Sequence, residues 1–205
     1  MSALWKPAHA LALGSKSLTR RQLLEAAGLP FEVVDVAVDE RAIEAAFLRG
    51  GRPTRELASV LAEAKALAAS SSRNGVACIG ADQILLLGDE ILHKSPDIAD
   101  LKAKLARLSG REHLLISAFA VARDGQLLHA EDDVARLRMR KLSARQIDIY
   151  AEAAGDAVLS SVGGYQLEKL GVHLFEAIDG DHTTILGLPM LKLLRWLRGA
   201  GMVRV

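Results

Sequence analysis

Along this chain the spacing of apolar positions changes several times, and each change predicts an element. Residues 9–13 form an apolar run that reads as a strand. The following "QLLEAAG" predicts a helix over 18–27, with Ser17 as its N-cap and Gly28 as its stop. "FEVVDVAV" (31–38) reads as a strand with apolar residues on both faces. From Pro53 to about Ala69, Leu57, Val60, Leu61, Ala64 and Leu67 recur at helical spacing, which puts Glu63 and Lys65 at the edges of the apolar stripe. Residues 76–93 read as a strand and a hairpin turning at "GDE", and 96–110 as a helix ended by Gly110. Residues 113–142 predict a longer hairpin whose Asp124-Gly125 pair is a type I′ turn signature. Ser143 caps the next helix, and 162–199 reads as turn, short helix, strand, loop and C-terminal helix, with Pro189 near that helix's first turn. Strands alternating with helices, plus two hairpins, predict a mixed-sheet α/β protein.

Composition narrows the function classes without naming one. The 205 residues suffice for one domain with a good core, or for two small lobes around a cleft. Net charge is +1 and only 4% of residues are aromatic, so neither a nucleic-acid nor a membrane surface is expected from the whole chain. Arg136, Arg138 and Arg140 alternate along one strand face, and a solvated face is the expectation for them. The lone cysteine, Cys78, lies in an apolar run and is expected to be a buried thiol in a reducing compartment. The six histidines show no metal-binding spacing. No leader-like segment and no membrane-spanning apolar stretch is visible, which predicts a cytoplasmic protein.

Three places could carry chemistry. "GSKSLTRR" (14–21) joins a strand to a helix, where free N–H groups and the positive end of the helix dipole attract anions. Ser15 and Ser17 add hydroxyls there, and Arg20 and Arg21 add guanidinium forks suited to phosphate oxygens. Two cations in a first helical turn oppose the dipole, so helix stability does not explain them. In "IGADQ" (79–83), Asp82 can hold a divalent cation or take a proton from water, or else be an ordinary aspartate before a hairpin. Lys94 stands at the far end of that hairpin, a place where solvated lysines are common. In "VDE" (38–40), Asp39 and Glu40 offer further carboxylates, as surface loops often do.

Taken in order, "SKSLTRRQLL", "VDER", "LASVLAEAKA", "IGADQILLLGDEILHKSPD", "LARLSGREH" and "GGYQLEKLGVHLFEAIDGDHTTILGLPMLKLL" are similar to the Maf family, the septum-formation-inhibitor-like nucleoside triphosphate pyrophosphatases. The resemblance spans about 13 to 195 and implies a single domain over 1–205. It implies an elongated α/β fold with a deep cleft between two lobes, akin to the inosine triphosphate pyrophosphatases. It further implies cleavage of a nucleoside triphosphate to monophosphate and pyrophosphate with a divalent cation (Mg²⁺, or Mn²⁺ or Co²⁺), and a homodimer as one arrangement.

Matched position by position, Ser15, Arg20 and Arg21 correspond to the family's phosphate loop and Glu40 to its acidic metal-binding residue. Lys65 and Lys94 match its two lysines, and Asp82 its proposed proton acceptor and metal ligand. Thr19, Gln83 and Glu168 fall where members differ in base preference. The dTTP/UTP branch has "ADT" and a glutamine where this chain has Gln83 and Glu168, which resemble the 7-methyl-GTP branch, whereas that branch more often has tryptophan at Thr19. Leu18, Ser95 and Thr183 replace residues more usual in the family, two prolines and an asparagine. The rival readings are a non-catalytic, nucleotide-binding regulator of septum formation and a nucleic-acid-binding module.

Overall fold

The computed structural model describes residues 4–6 and 9–205. In chain order its elements are β1 (Leu11–Gly14), α1 (Leu18–Ala26), β2 (Glu32–Val33), α2 (Glu40–Arg49), α3 (Leu57–Ser70), β3 (Ala77–Leu87) and β4 (Glu90–Leu92). They continue with α4 (Ile98–Leu108), β5 (Glu112–Arg123), β6 (Gln126–Met139), α5 (Ala144–Ala154), β7 (Phe175–Asp179), α6 (His182–Ile185) and α7 (Met190–Gly199). The strands form one mixed sheet in the order β2-β1-β3-β5-β6-β7, and β4 also pairs with β3. This is the mixed α/β class that the alternating pattern predicts.

Local chemistry accounts for most element ends. The Ser17 hydroxyl accepts the Arg20 N–H and starts α1. Ser143 and Gln146 form a reciprocal capping box at α5. Asp124 and Gly125 both take positive φ, 51° and 75°, as a type I′ turn between β5 and β6 requires.

Two expectations need correction. The strand expected over 31–38 shrinks to Glu32–Val33, because β2 is an edge paired only with β1 and the chain then leaves the sheet. The segment after it, expected as a loop with acids, is helix α2: the Asp39 side chain accepts the Ala42 N–H as N-cap, and Glu40 sits in the first turn, where a carboxylate complements the dipole.

A third correction concerns α3. Its buried face is Leu57, Ala58, Leu61, Ala62, Lys65, Ala66, Ala69 and Ser70, so Lys65 lies within the buried stripe rather than at its edge. Alanines make this possible. They let α3 lie directly on β3 at Gly80, where a Cβ would fall 2.2 Å from both the Ala62 carbonyl oxygen and the Ala66 nitrogen. The close approach carries the Lys65 stem over the sheet.

Helices cover both sheet faces. On one, α2 and α3 pack on Ile84, Leu86, Ile116, Ala118 and Ala120. On the other, Leu13, Ile79, Ala81, Phe119 and Val121 form a core with α1 and α7. Further along the same face, Leu85, Leu115 and Leu137 form a second core with α4 and α5. Between these two cores that face turns polar at Gln83 and Ser117.

Within the second core His113 is 1% exposed and its Nε2 lies 2.6 Å from the Tyr165 hydroxyl. Burial pushes its pKa down to about 4, with the Glu112 charge opposing. An unfolded histidine titrates near 6.5, so the unfolded state binds the extra proton first as pH falls. Stability from this site is therefore complete above about pH 6.5 and is lost as pH falls toward 4, by a few kcal/mol on the order of the shift. In urea titrations between pH 7 and 4, His113→Phe is expected to lack that part of the slope. An unchanged slope would show that another group carries it.

Candidate active site

Strand β3 has eleven residues, but neighbours cover its outer edge only at the ends. β1 pairs in parallel up to Gly14 opposite Gly80, and β4 pairs antiparallel from Leu92 opposite Leu85. The stretch 81–84 thus faces a gap between two strands, about 13 Å long at strand rise. The loop after β1 enters the gap from one end. From the other, the chain leaving β4 reaches Lys94 two residues past Leu92. The crevice beyond the carboxyl end of a parallel strand is where α/β sheets bind ligands.

Asp82 projects from the gap toward α3, 9% exposed. Its Oδ1 accepts a hydrogen bond from Lys65 Nζ at 2.5 Å, and the same ammonium pairs with Glu40 Oε1 at 2.8 Å. Lys65 is itself 7% exposed, and these two carboxylates are its ion-pair partners. Asp82 Oδ2 and Glu40 Oε2 accept no hydrogen bond among the described residues. Two carboxylates with a free oxygen each, at an open gap, form a sparse hard-oxygen donor set of the kind that suits Mg²⁺ completed by water and substrate oxygens. No cluster of three or more His, Cys, Asp or Glu suited to a metal occurs among the described residues.

Arg20 braces the gap. Its Nε donates to the Gly187 carbonyl at 2.8 Å, and its Nη1 to the Ala81 carbonyl at 2.8 Å and to Ser15 Oγ at 3.1 Å. One guanidinium thus joins the loop after β1, the exposed edge of β3 and the loop before α7. Burial presses its pKa down while the Asp82 and Glu40 charges hold it up, so Arg20 shares their electrostatic neighbourhood. Its Nη2 makes no hydrogen bond among the described residues. Arg21 is half-buried, with its Nε unpartnered among the described residues. Ser15 is buried, and its Oγ also accepts the Ser17 N–H at 3.3 Å.

The other expected residues stand apart from this cluster. Thr19 is partly exposed on the first turn of α1. Lys94 is exposed and makes no ion pair among the described residues. Glu168 is exposed, and its charge adds to the burial that raises the Tyr150 pKa. Gln83 turns its amide inward: Nε2 lies 2.9 Å from Ser117 Oγ and 3.0 Å from the carbonyls of both Thr184 and Ile185. Arg136 and Arg138 pair with Glu112 and Glu176 on an exposed face. Cys78 is buried, and burial raises its pKa to about 11, so it is a thiol at neutral pH.

Several residues escaped the linear reading. Ser117 donates to the Thr184 carbonyl at 2.7 Å, and Thr184 Oγ1 donates to Asp133 at 2.6 Å, fixing α6 to the sheet beside Gln83. A single serine inside the apolar run "LLISAFAVA" was the available signal. Lys104, 7% exposed, donates to the carbonyls of His93 and Val162, pinning the chain before Lys94 to the segment before Glu168. It reads as one more helix-surface lysine in sequence, and only the fold reveals its burial.

A family model described as Maf-like protein matches residues 10–200. The chain belongs to that family. Among curated relatives of this Maf-like protein is a nucleoside triphosphate pyrophosphatase of Rhodopseudomonas palustris strain BisB18, 49% identical over 195 residues, covering 95% of this chain and 96% of the relative. Another is a 7-methyl-GTP pyrophosphatase of Brucella abortus, 46% identical over 188 residues, covering 92% and 94%. A solved nucleoside-triphosphatase / dITP/XTP pyrophosphatase of Mycobacterium abscessus aligns over 94% of this chain and 95% of its own, at a TM-score of 0.40 and 15% identity. No helix of the described residues is long and apolar enough to cross a membrane.

Proposed function

We propose that this Maf-like protein is a nucleoside triphosphate pyrophosphatase, in which water attacks the α-phosphorus and pyrophosphate leaves. The observation that carries the reading is the Asp82–Lys65–Glu40 cluster at the open gap of β3, facing the loop of Ser15, Arg20 and Arg21. The names of the full-length relatives agree with it.

Each residue has a definite task in that reaction. Lys65, held between two carboxylates, keeps Asp82 aimed, and Asp82 accepts the proton of the attacking water. Arg20 Nη2, Arg21, the Ser15 loop and, from the other side of the gap, Lys94 surround a chain of phosphates carrying roughly four negative charges. Lys104 sets the position from which Lys94 reaches in. A divalent cation held by the free oxygens of Asp82 and Glu40 would offset phosphate charge and make the attacking water more acidic. The two apolar cores on either side of Gln83 then act as the walls of one cleft.

For the base we favour 7-methyl-GTP over dTTP and UTP, with Glu168 accepting the N1–H and N2–H₂ of a guanine edge. Support comes from Glu168 at a branch-distinguishing position and from the 46% identity to a 7-methyl-GTP pyrophosphatase. The test is turnover of 7-methyl-GTP, GTP, ITP, dTTP, UTP and CTP with Mg²⁺, reading phosphate with and without inorganic pyrophosphatase. Signal only with the coupling enzyme, and highest on 7-methyl-GTP, is expected. Direct release of orthophosphate would refute pyrophosphate release. No turnover with Mg²⁺, Mn²⁺ or Co²⁺ would leave a nucleotide-binding regulator as the reading.

A further inference from the structure

Residues of β3 whose main-chain N–H and C=O point to the outer edge alternate with those facing β5. Ala77 is of the outward set, since its N–H donates to the Ala10 carbonyl on the β1 side. Ala81, Gln83 and Leu85 follow in the same set. Ala81 is engaged, as the parallel ladder through Gly14 and Gly80 takes its N–H and Arg20 takes its carbonyl. Leu85 is engaged by Leu92 of β4. The N–H and C=O of Gln83 have no hydrogen-bond partner among the described residues, and Gln83 is the one residue of β3 that is not buried. Lys94 occupies the register position opposite, but β4 has ended at Leu92. The side chain of Gln83 does not fill the gap, because its amide is committed to Ser117, Thr184 and Ile185 on the sheet face.

An unpaired donor beside an unpaired acceptor selects its ligand. A phosphate oxygen can meet the N–H but is repelled by the C=O, since both are acceptors. A hydroxyl satisfies both, accepting from N–H and donating to C=O. Gln83 also follows Asp82 directly, with Cα atoms 3.8 Å apart across the peptide as in any trans bond. The sugar of a nucleotide hangs from the α-phosphorus through a single oxygen, so with that phosphorus at Asp82 the sugar comes next.

We infer that the main chain of Gln83 is the sugar subsite, its N–H and C=O hydrogen-bonding a ribose hydroxyl of the substrate. The inference rests on the pyrophosphatase reading for what the ligand is. It assigns Gln83 a role through its backbone, with the side chain positioning α6 rather than reading the base. It leaves the guanine edge to Glu168. Recognition of the sugar by main chain also explains how the side chain at 83 can serve the scaffold without loss of a substrate contact.

The experiment compares the parent nucleoside triphosphate with its 2′-deoxy, 3′-deoxy and 2′,3′-dideoxy analogues on one base, guanine, in the full-length protein with Mg²⁺. The 2′,3′-dideoxy analogue is expected to lose about 10- to 100-fold in kcat/KM, and one of the two single-deoxy analogues to account for most of that. In parallel, ¹⁵N-labelled protein is titrated with α,β-methylene GTP and with its 2′,3′-dideoxy counterpart. The Gln83 main-chain amide is expected to shift with the first and not with the second. Equal kcat/KM for dideoxy and parent, or an equal amide shift with both, would overturn the subsite while leaving pyrophosphatase activity standing. Absence of turnover on every triphosphate would overturn the pyrophosphatase reading instead, and the amide titration would then decide the subsite alone.

Discussion

Asp82→Asn is expected to lower kcat for pyrophosphate release by about a thousandfold, within the range that loss of a positioned proton acceptor produces. Asparagine has nearly the same volume, and its carbonyl oxygen can still accept the hydrogen bond that Lys65 Nζ gives to Asp82 Oδ1. The ammonium keeps one carboxylate partner, Glu40 Oε1 at 2.8 Å, so the buried charge is not stranded. Stability by urea unfolding is therefore expected to change by no more than about 1 kcal/mol. What the substitution removes is the oxygen proposed to accept the proton, one of the two carboxylate oxygens of the pair without a hydrogen bond among the described residues. Steady-state kinetics with the coupled phosphate assay, alongside urea midpoints, separate the two effects. Turnover within threefold of wild type would remove Asp82 from the chemistry. Lost turnover with a collapsed midpoint would make its role one of folding.

The second large effect is steric. Gly80→Ala places a methyl 2.2 Å from the Ala62 carbonyl oxygen and the Ala66 nitrogen, and both are helix backbone that no rotamer change can move aside. Helix α3 must shift away from β3, at a cost of about 3 kcal/mol or more, the upper end of overpacking. The shift also carries Lys65 away from Asp82, so the surviving folded protein should turn over at least tenfold more slowly. Gly88→Ala is the control. That glycine has φ +67° but open space around its Cβ position, so its cost is conformational, near 1 kcal/mol, without effect on turnover. Thermal melts and kcat on the two variants distinguish the cases. Wild-type stability in Gly80→Ala would show that α3 does not need this close approach.

How much of this was legible beforehand differs from residue to residue. The turn at Asp124-Gly125 and the caps Ser17 and Ser143 were readable because each is decided by its own few residues. The helix at 40–49 was not, since the acids that start it also suit a loop, and only the folded backbone shows that Asp39 accepts the Ala42 N–H as its N-cap. Lys65 shows the same limit at the site. Helical spacing alone set it at the edge of an apolar stripe, whereas the alanines beside it lower α3 onto Gly80 and bury that side of the helix.

The sequence by itself determined the α/β class, the strand-loop-helix joint at Ser15 to Arg21, and the candidate carboxylates and lysines, because periodicity and residue chemistry are local properties. Only the tertiary structure decided that Glu40 and Asp82 share the Lys65 ammonium, that Arg20 braces three segments, and that, of the outer-edge residues of β3, Gln83 leaves its main chain without a partner among the described residues. Those depend on where β1 and β4 stop along β3 and on how closely α3 approaches it. Strand length and helix height are set by pairing and packing across residues far apart in the chain, which no local pattern encodes.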